Sequence, residues 1–408
     1  MKIIFCKNCL YGSTHPLGIT FDNIGICSGC TVHKEKYTLD WRSRFSKLSK
    51  VIAQYRSRKN NYDCIIPITG AQDSYFIVHT AKKLGLKPLL VCYNKYFNTD
   101  VGIKNLSNLR IKFNLDVLFQ NVNPNTVKKI TRETLSRFGN IYWPIIAGHT
   151  VFPVQISIKY KIPLIIWGAH QGIEQVGMNS HEDEVEMSRR YRKDHDLFGY
   201  EAEDLLMISN NLKEADIYQY LYPDDYTLKK NSTRGIYLGN YIPWDTKKQH
   251  ELMIKIYNYK TINFTRTIDC YDYVDCFNYM NIHDLLKIYK HGYSKITDQL
   301  SREIRFGRID RESALKVVKK FEKRKPKFTK LFCDWLDVDY KSLNFVTESF
   351  INLLFWKKIN LDNFKFMGWS YLNKLQSKKK IIKKKFSYTV NTKLKNNLNY
   401  ITFGKGFG

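Results

Sequence analysis

Residues 62–76 read YDCIIPITGAQDSYF, an apolar run that empties into a small-residue loop and then into a helical pattern. Residues 64–68 have the length and composition of a buried strand, and residues 74–84 carry apolar positions at helical spacing before Gly85. A glycine just past a helix supplies the left-handed residue that ends it. Between strand and helix, Thr69, Gly70 and Ala71 are small enough for backbone N–H groups to converge on an anion. The helix start adds the positive end of its dipole. Thr69 and Ser74 contribute hydroxyls, and Asp73 is placed to hold a Mg²⁺ ion on bound phosphates. Ala71 stands where a second glycine would be natural; if that position needs positive φ, alanine costs about 1–2 kcal/mol there.

Working outward, further strands are expected at 88–93, 115–122 and 162–167, with helices between them, one of which (126–138) closes on Gly139. This alternation implies parallel strands with crossover helices, hence a doubly wound α/β sheet. Ligands of such sheets bind at the carboxyl ends of strands, so the loops after Ile68, Tyr93 and Trp167 are the first to search. Residues 41–55 suit an amphipathic connecting helix. Beyond Glu201 the strand pattern fades, and 285–291, 313–321 and 345–359 look helical. The expected division is a module at 1–40, an α/β domain at 41–200, a helical substrate- or partner-binding region at 201–345 and a basic extension at 346–408.

The 408 residues carry a formal charge of +28 with 14% aromatic residues. So aromatic a chain is folded, and its charge favours anionic partners without choosing among them. There is no run of about 18 apolar residues, and the apolar run at the amino terminus is short for a signal peptide. A cytoplasmic protein is expected. Its nine cysteines, an odd number, argue for thiols and metal ligands rather than disulfides. Cys6-x-x-Cys9 and Cys27-x-x-Cys30, seventeen residues apart, have the spacing of a zinc ribbon. Four thiolates close the shell, so the zinc is expected to be structural. The lysine clusters at 378–380 and 383–385 allow peripheral contact with an acidic membrane, although a solvated tail is the simpler expectation.

Thr69-Gly70-Ala71-Gln72-Asp73-Ser74 resembles the S-G-G-x-D-S loop of PP-loop (HUP-like) ATP pyrophosphatases. With the ribbon, Gly18-Ile-Thr-Phe-Asp22, Phe152-Pro-Val-Gln155, Ile162-Pro-Leu-Ile-Ile-Trp-Gly168, Arg234-Gly-Ile-Tyr-Leu-Gly239, Tyr241-Ile-Pro-Trp-Asp245, Thr297-Asp298 and Gly307-Arg-Ile309, the chain is similar to the N-acetyl sugar amidotransferases of bacterial surface-sugar biosynthesis. That resemblance implies ATP, Mg²⁺ and structural Zn²⁺ as cofactors, and an N-acetylated sugar as substrate, of the pseudaminic or legionaminic acid kind found in lipopolysaccharide and O-antigen. Ammonia would come from a separate glutaminase through a cyclase-like companion.

The resemblance further implies nucleotide contacts from Thr69, Gly70, Ala71, Gln72, Asp73, Ser74 and Gly168; by position alone, the backbone of Val91–Tyr93, with Cys92, would meet adenine. Asp73, Ser74 and Asp298 would be catalytic, and Arg234, Trp244 and Asp245 would meet substrate. Ala169 stands where the family commonly has an acidic residue, and Gln299 where a histidine is usual. Two other readings stay open: a tRNA-thiolating PP-loop enzyme and a catalytically silent PP-loop scaffold. Nucleic acid is not the expected partner, because no basic and aromatic interleaving is evident.

Overall fold

The computed structural model of the chain describes residues 3–57, 61–96, 98–263, 267–322, 324, 329–360 and 363–377. The lysine clusters at 378–380 and 383–385 lie outside them.

After α1 (Ser28–Glu35) and α2 (Trp41–Tyr55), the chain enters a strand and helix alternation: β1 (Cys64–Pro67), α3 (Gln72–Lys83), β2 (Pro88–Tyr93), α4 (Asp100–Phe113), β3 (Val117–Gln120), α5 (Pro124–Phe138), α6 (Trp143–Tyr160), β4 (Leu164–Trp167) and α7 (Gln171–Val176). A fifth strand, β5 (Arg234–Tyr237), falls where the strand pattern fades in the sequence. All five pair in parallel in the order β3-β2-β1-β4-β5. The chain winds outward from β1 through β3, then returns to the other side of β1 as β4. The crevice above β1 and β4 is therefore the topological switch point, where doubly wound sheets bind ligands.

Alternate residues face opposite layers. Cys64, Ile66, Leu90, Cys92, Leu164 and Ile166 share a core with Leu48 and Val51 of α2, Tyr75 and Val78 of α3, and Leu109 of α4. Ile65, Leu89, Val91 and Ile165 instead pack on Val151 and Val154 of α6. Burial on both faces explains why these strands read as continuous apolar runs rather than alternating ones.

The amino-terminal module docks far along the chain. Its Ile3, Phe5, Leu10 and Tyr11 share a core with Tyr293, Ile296, Leu300, Leu315 and Trp369. Those partners belong to or adjoin the helices Lys295–Arg305, Arg311–Phe321 and Trp369–Ser377. The expected helix 345–359 is not continuous: a helix ends at Glu348, and β6 (Trp356–Lys358) turns back in an antiparallel hairpin with β7 (Phe364–Phe366). The helices Phe277–His291 and Arg311–Phe321 contain the segments expected at 285–291 and 313–321. Among the described residues, no helix is long and apolar enough to cross a membrane.

Candidate functional site

The loop after β1 has one left-handed residue, Gly70, at φ 78°. A Cβ there would lie 2.9 Å from Leu106 Cβ and 3.0 Å from the Gly102 carbonyl, so glycine is needed both for conformation and for room. Ala71 is extended (φ −72°, ψ 169°) and is the residue before the first turn of α3. An L-residue holds that conformation without strain. The positive-φ penalty considered for Ala71 belongs to its neighbour. The loop is pinned by its own hydroxyls: Ser74 Oγ accepts from the Thr69 N–H at 2.9 Å, and Thr69 Oγ1 from the Ala71 N–H at 3.2 Å.

Asp73, in the first turn of α3, opens into a cavity of about 160 Å³ that is also lined by Tyr11, Asp272, Asp298, Arg302 and Arg305. Three distant parts of the chain meet there: the ribbon, the loop, and the helix Lys295–Arg305. Positions 298, 302 and 305, spaced by four and three, place their side chains on one face of that helix. Trp244 lines the same cavity. A Cβ on Gly168 would lie 2.9 Å from the Trp244 ring, so the glycine lets this indole seat on the end of β4. At this volume the cavity is smaller than a pocket that encloses a whole nucleotide.

Its charges are mutually arranged. Arg302 donates to Asp272 at 3.0 Å, and Gln299 Nε2 donates to Asp269 at 2.6 Å and to Asp272 at 3.3 Å. Burial and the neighbouring Asp272 push Asp269 up to about 7. Burial works against Asp272 as well, but Arg302 and His250 hold it down at about 2. Asp73 is pushed up to about 7, first by burial and then by the Asp272 charge. His250, with its side chain 1% exposed, lies 4.0 Å from Asp73 and 3.8 Å from Asp272. Burial lowers it to about 3, so it is neutral near pH 7.

Asp298 accepts from the Tyr11 hydroxyl at 3.1 Å and pairs with Lys287 and with Lys295. Burial alone would raise its pKa, but the two ammonium groups hold it well below the usual carboxylate range. Lys287, by burial, is shifted down from its ordinary value. The acids Asp73, Asp272 and Asp298 thus share the cavity wall with the cations Lys295, Arg302 and Arg305.

Other residues expected at a site lie elsewhere. Arg234 is at the amino end of β5, away from the strand ends that face the loop, and clamps Glu186 through Nε at 3.0 Å and Nη2 at 2.7 Å. Asp245 caps the helix Thr246–Tyr257 and pairs with Arg308. Cys92 sits in the sheet core, where burial pushes its thiol up to about 12. Gln72 is the first residue of α3. The sequence reading passed over Asp269, Asp272, His250, Lys287, Lys295, Arg302 and Arg305. The Asp269-Cys-Tyr-Asp272-Tyr-Val-Asp275 run, acids set among apolar and aromatic residues, was the signal available.

The four ribbon cysteines are buried, with all their sulfurs within 4.8 Å of one another. Cys6 and Cys30 Sγ are 3.9 Å apart, and Cys9 and Cys27 Sγ 3.6 Å. Tetrahedral zinc with bonds of about 2.3 Å sets its sulfurs about 3.8 Å apart. The cysteines fit zinc. Arg305 donates to Cys30 Sγ at 3.4 Å and reaches Cys27 at 3.7 Å and Cys9 at 3.9 Å. Its guanidinium thus faces the ribbon sulfurs on one side and the cavity on the other.

Residues 262–376 match the family model described as LPS biosynthesis protein WbpG-like, C-terminal domain. That WbpG-like segment carries Asp272, Asp298, Gln299, Arg302 and Arg305, and so supplies much of the cavity wall. No curated protein matches the chain. A solved NH3-dependent NAD synthetase from Campylobacter jejuni, in complex with nitrate, is 14% identical and covers 48% of this chain and 96% of its own, with a TM-score of 0.26. So low a score adds nothing to the strand order, which stands on the pairing itself.

Proposed function

We propose that the chain is an ATP-dependent amidotransferase acting on an N-acetylated bacterial sugar. The observation that carries this reading is the shared cavity, in which the loop acid Asp73 faces the acids and cations of the WbpG-like segment. Gly70, Thr69, Ser74 and the amino end of α3 would hold ATP phosphates. Asp73, with Asp272 opposite, would hold Mg²⁺, which neutralises charge on departing pyrophosphate. Arg302 and Lys295 would bind phosphate oxygens from the other wall. The amide oxygen of the acetamido group attacks the α-phosphorus and pyrophosphate leaves. Ammonia then adds to the activated carbon, AMP departs, and an acetamidino group remains. Trp244 and Tyr11 exclude water while the activated amide waits for ammonia. A separate glutaminase and a cyclase-like channel subunit would be the ammonia source.

The loop conformation bears on the silent-scaffold reading, since extended Ala71 carries no backbone strain that would disable the loop. Thiolation needs a reactive thiol beside the loop. Cys276, like Cys92, is pushed up to about 12 by burial, which leaves half-buried Cys270 as the thiol to vary. The deciding experiment mixes the full chain with ATP, Mg²⁺, ammonium and a panel of N-acetyl sugars and follows AMP and pyrophosphate. Sugar-dependent release that persists in Cys270→Ser supports the amidotransferase. No release with any sugar, from the parent or from Ala71→Gly, would overturn it.

A further inference from the structure

A second cavity, of about 270 Å³, opens at the carboxyl ends of β4 and β5. Trp167 is the last residue of β4 and Tyr237 the last of β5, and Tyr191 and Tyr222 complete its aromatic walls. The rings are fixed by their neighbours. Tyr191 stacks on His195, with centroids 4.5 Å apart and planes at 16°, and its hydroxyl accepts from the Gly172 N–H at 3.3 Å. Arg192 lies 4.9 Å from the centre of the Tyr222 ring. That arginine is itself held by an ion pair to Glu201 and by donation from Nε to Thr150 Oγ1 at 2.8 Å. The Trp167 indole N–H points to Met187 Sδ at 3.1 Å.

The segment Arg192–Asp196, which lends both end residues to this cavity, is a π-helical turn closed by the Leu197 N–H to the Arg192 carbonyl at 2.9 Å. Such turns are rare and concentrate at functional sites. Thr150, Ser188 and Asp196 set polar groups around the aromatic walls. Gln171, the first residue of α7, lines this cavity and the charged one, so the two adjoin.

Walls of fixed aromatic faces with donors and acceptors spread around the rim suit a ring that is apolar on its faces and hydroxylated around its edge. A purine, with its polar atoms in the ring plane and no hydroxyl fringe, uses such a rim less fully. We propose that this aromatic cavity binds the pyranose ring of the acceptor, an N-acetylated sugar, with the acetamido group directed past Gln171 towards Asp73. The assignment rests on the amidotransferase reading for the identity of the ring.

Saturation-transfer NMR on the full chain without ATP tests it, with N-acetyl-D-glucosamine, N-acetyl-D-mannosamine and N-acetyl-D-galactosamine as probes. At least one should receive saturation at its ring and acetyl protons. Tyr191→Ala and Tyr222→Ala should each weaken that binding about two- to tenfold, as expected for loss of one aromatic face, with ATP binding and the circular-dichroism spectrum of the folded chain retained. Tyr191→Phe, which keeps the face, should bind as the parent does. Failure of every probe to bind, undiminished binding in both alanine variants, or displacement of the sugar by AMP would each overturn the proposal. Sugar bound and lost in the variants, without AMP release during turnover, leaves the cavity assigned and sinks the reaction. AMP release with unchanged sugar half-saturation in both variants does the reverse.

Discussion

At Gly70 the loop is decided by a missing side chain. With φ at 78° and the Leu106 Cβ 2.9 Å from where its own Cβ would stand, Gly70→Ala should cost about 1–2 kcal/mol for the left-handed backbone and more for the contact. Urea unfolding midpoints check it. Ala71→Gly should fall within about 0.5 kcal/mol of the parent, because a slightly better helix cap is offset by a more flexible unfolded chain. Equal losses at the two positions would contradict the loop geometry. Asp272 is a second such residue, with 4% of its side chain exposed against Arg302. Arg302→Ala strands a buried carboxylate and should cost about 3–5 kcal/mol, read from the same midpoints. The loop residues could be read from sequence because small residues, a hydroxyl and an acid occur together in a few positions. Asp272 could not, since its meaning comes from Arg302 thirty residues later. Gln299 was singled out only as a departure from a pattern. Its amide, bridging Asp269 and Asp272, belongs to a contact that no local spacing records.

Among the elements, β1, β2 and β4 were legible because double-sided burial makes each an unbroken apolar run ended by a turn. β5 was not, since it starts on a charged residue and includes Gly235. The 345–359 segment misled for the opposite reason: its apolar residues fit a helix, yet Trp356 and Phe366 pair across a hairpin. The most informative element is the helix Lys295–Arg305, which offers Asp298 and Arg302 to the cavity and Arg305 to the ribbon sulfurs. The ribbon sulfurs and the cavity wall are thus joined through one helix. Stripping zinc with a thiol reagent and a chelator should lower the melting temperature by at least about 5 °C, as the ribbon shares its core with Leu300 and Leu315. Zinc released should track the four thiols that react. An unchanged melt after complete zinc release would remove the structural role.

Over the whole molecule, a chain of charge +28 gathers acids at the switch point, and the folded state responds to pH through them. Asp73 and Asp269 have folded pKa values of about 7, above the roughly 3.9 of an unfolded aspartate. Between those limits the folded chain holds more protons, so their contribution to stability falls as pH rises from about 4 to 7 and is level above. Asp272 acts oppositely: held at about 2, it stabilises above pH 4 and loses that contribution as pH falls. Replacing Asp73 with asparagine removes only the first effect at that position. The variant should therefore gain stability over the parent between pH 5 and pH 8. With 39% of its side chain exposed, solvent screening brings the gain to about 1 kcal/mol. Urea midpoints in metal-free buffer at the two pH values decide it. An equal difference at both would mean that Asp73 ionises as freely in the folded chain as in the unfolded one, and that the cavity does not set its charge.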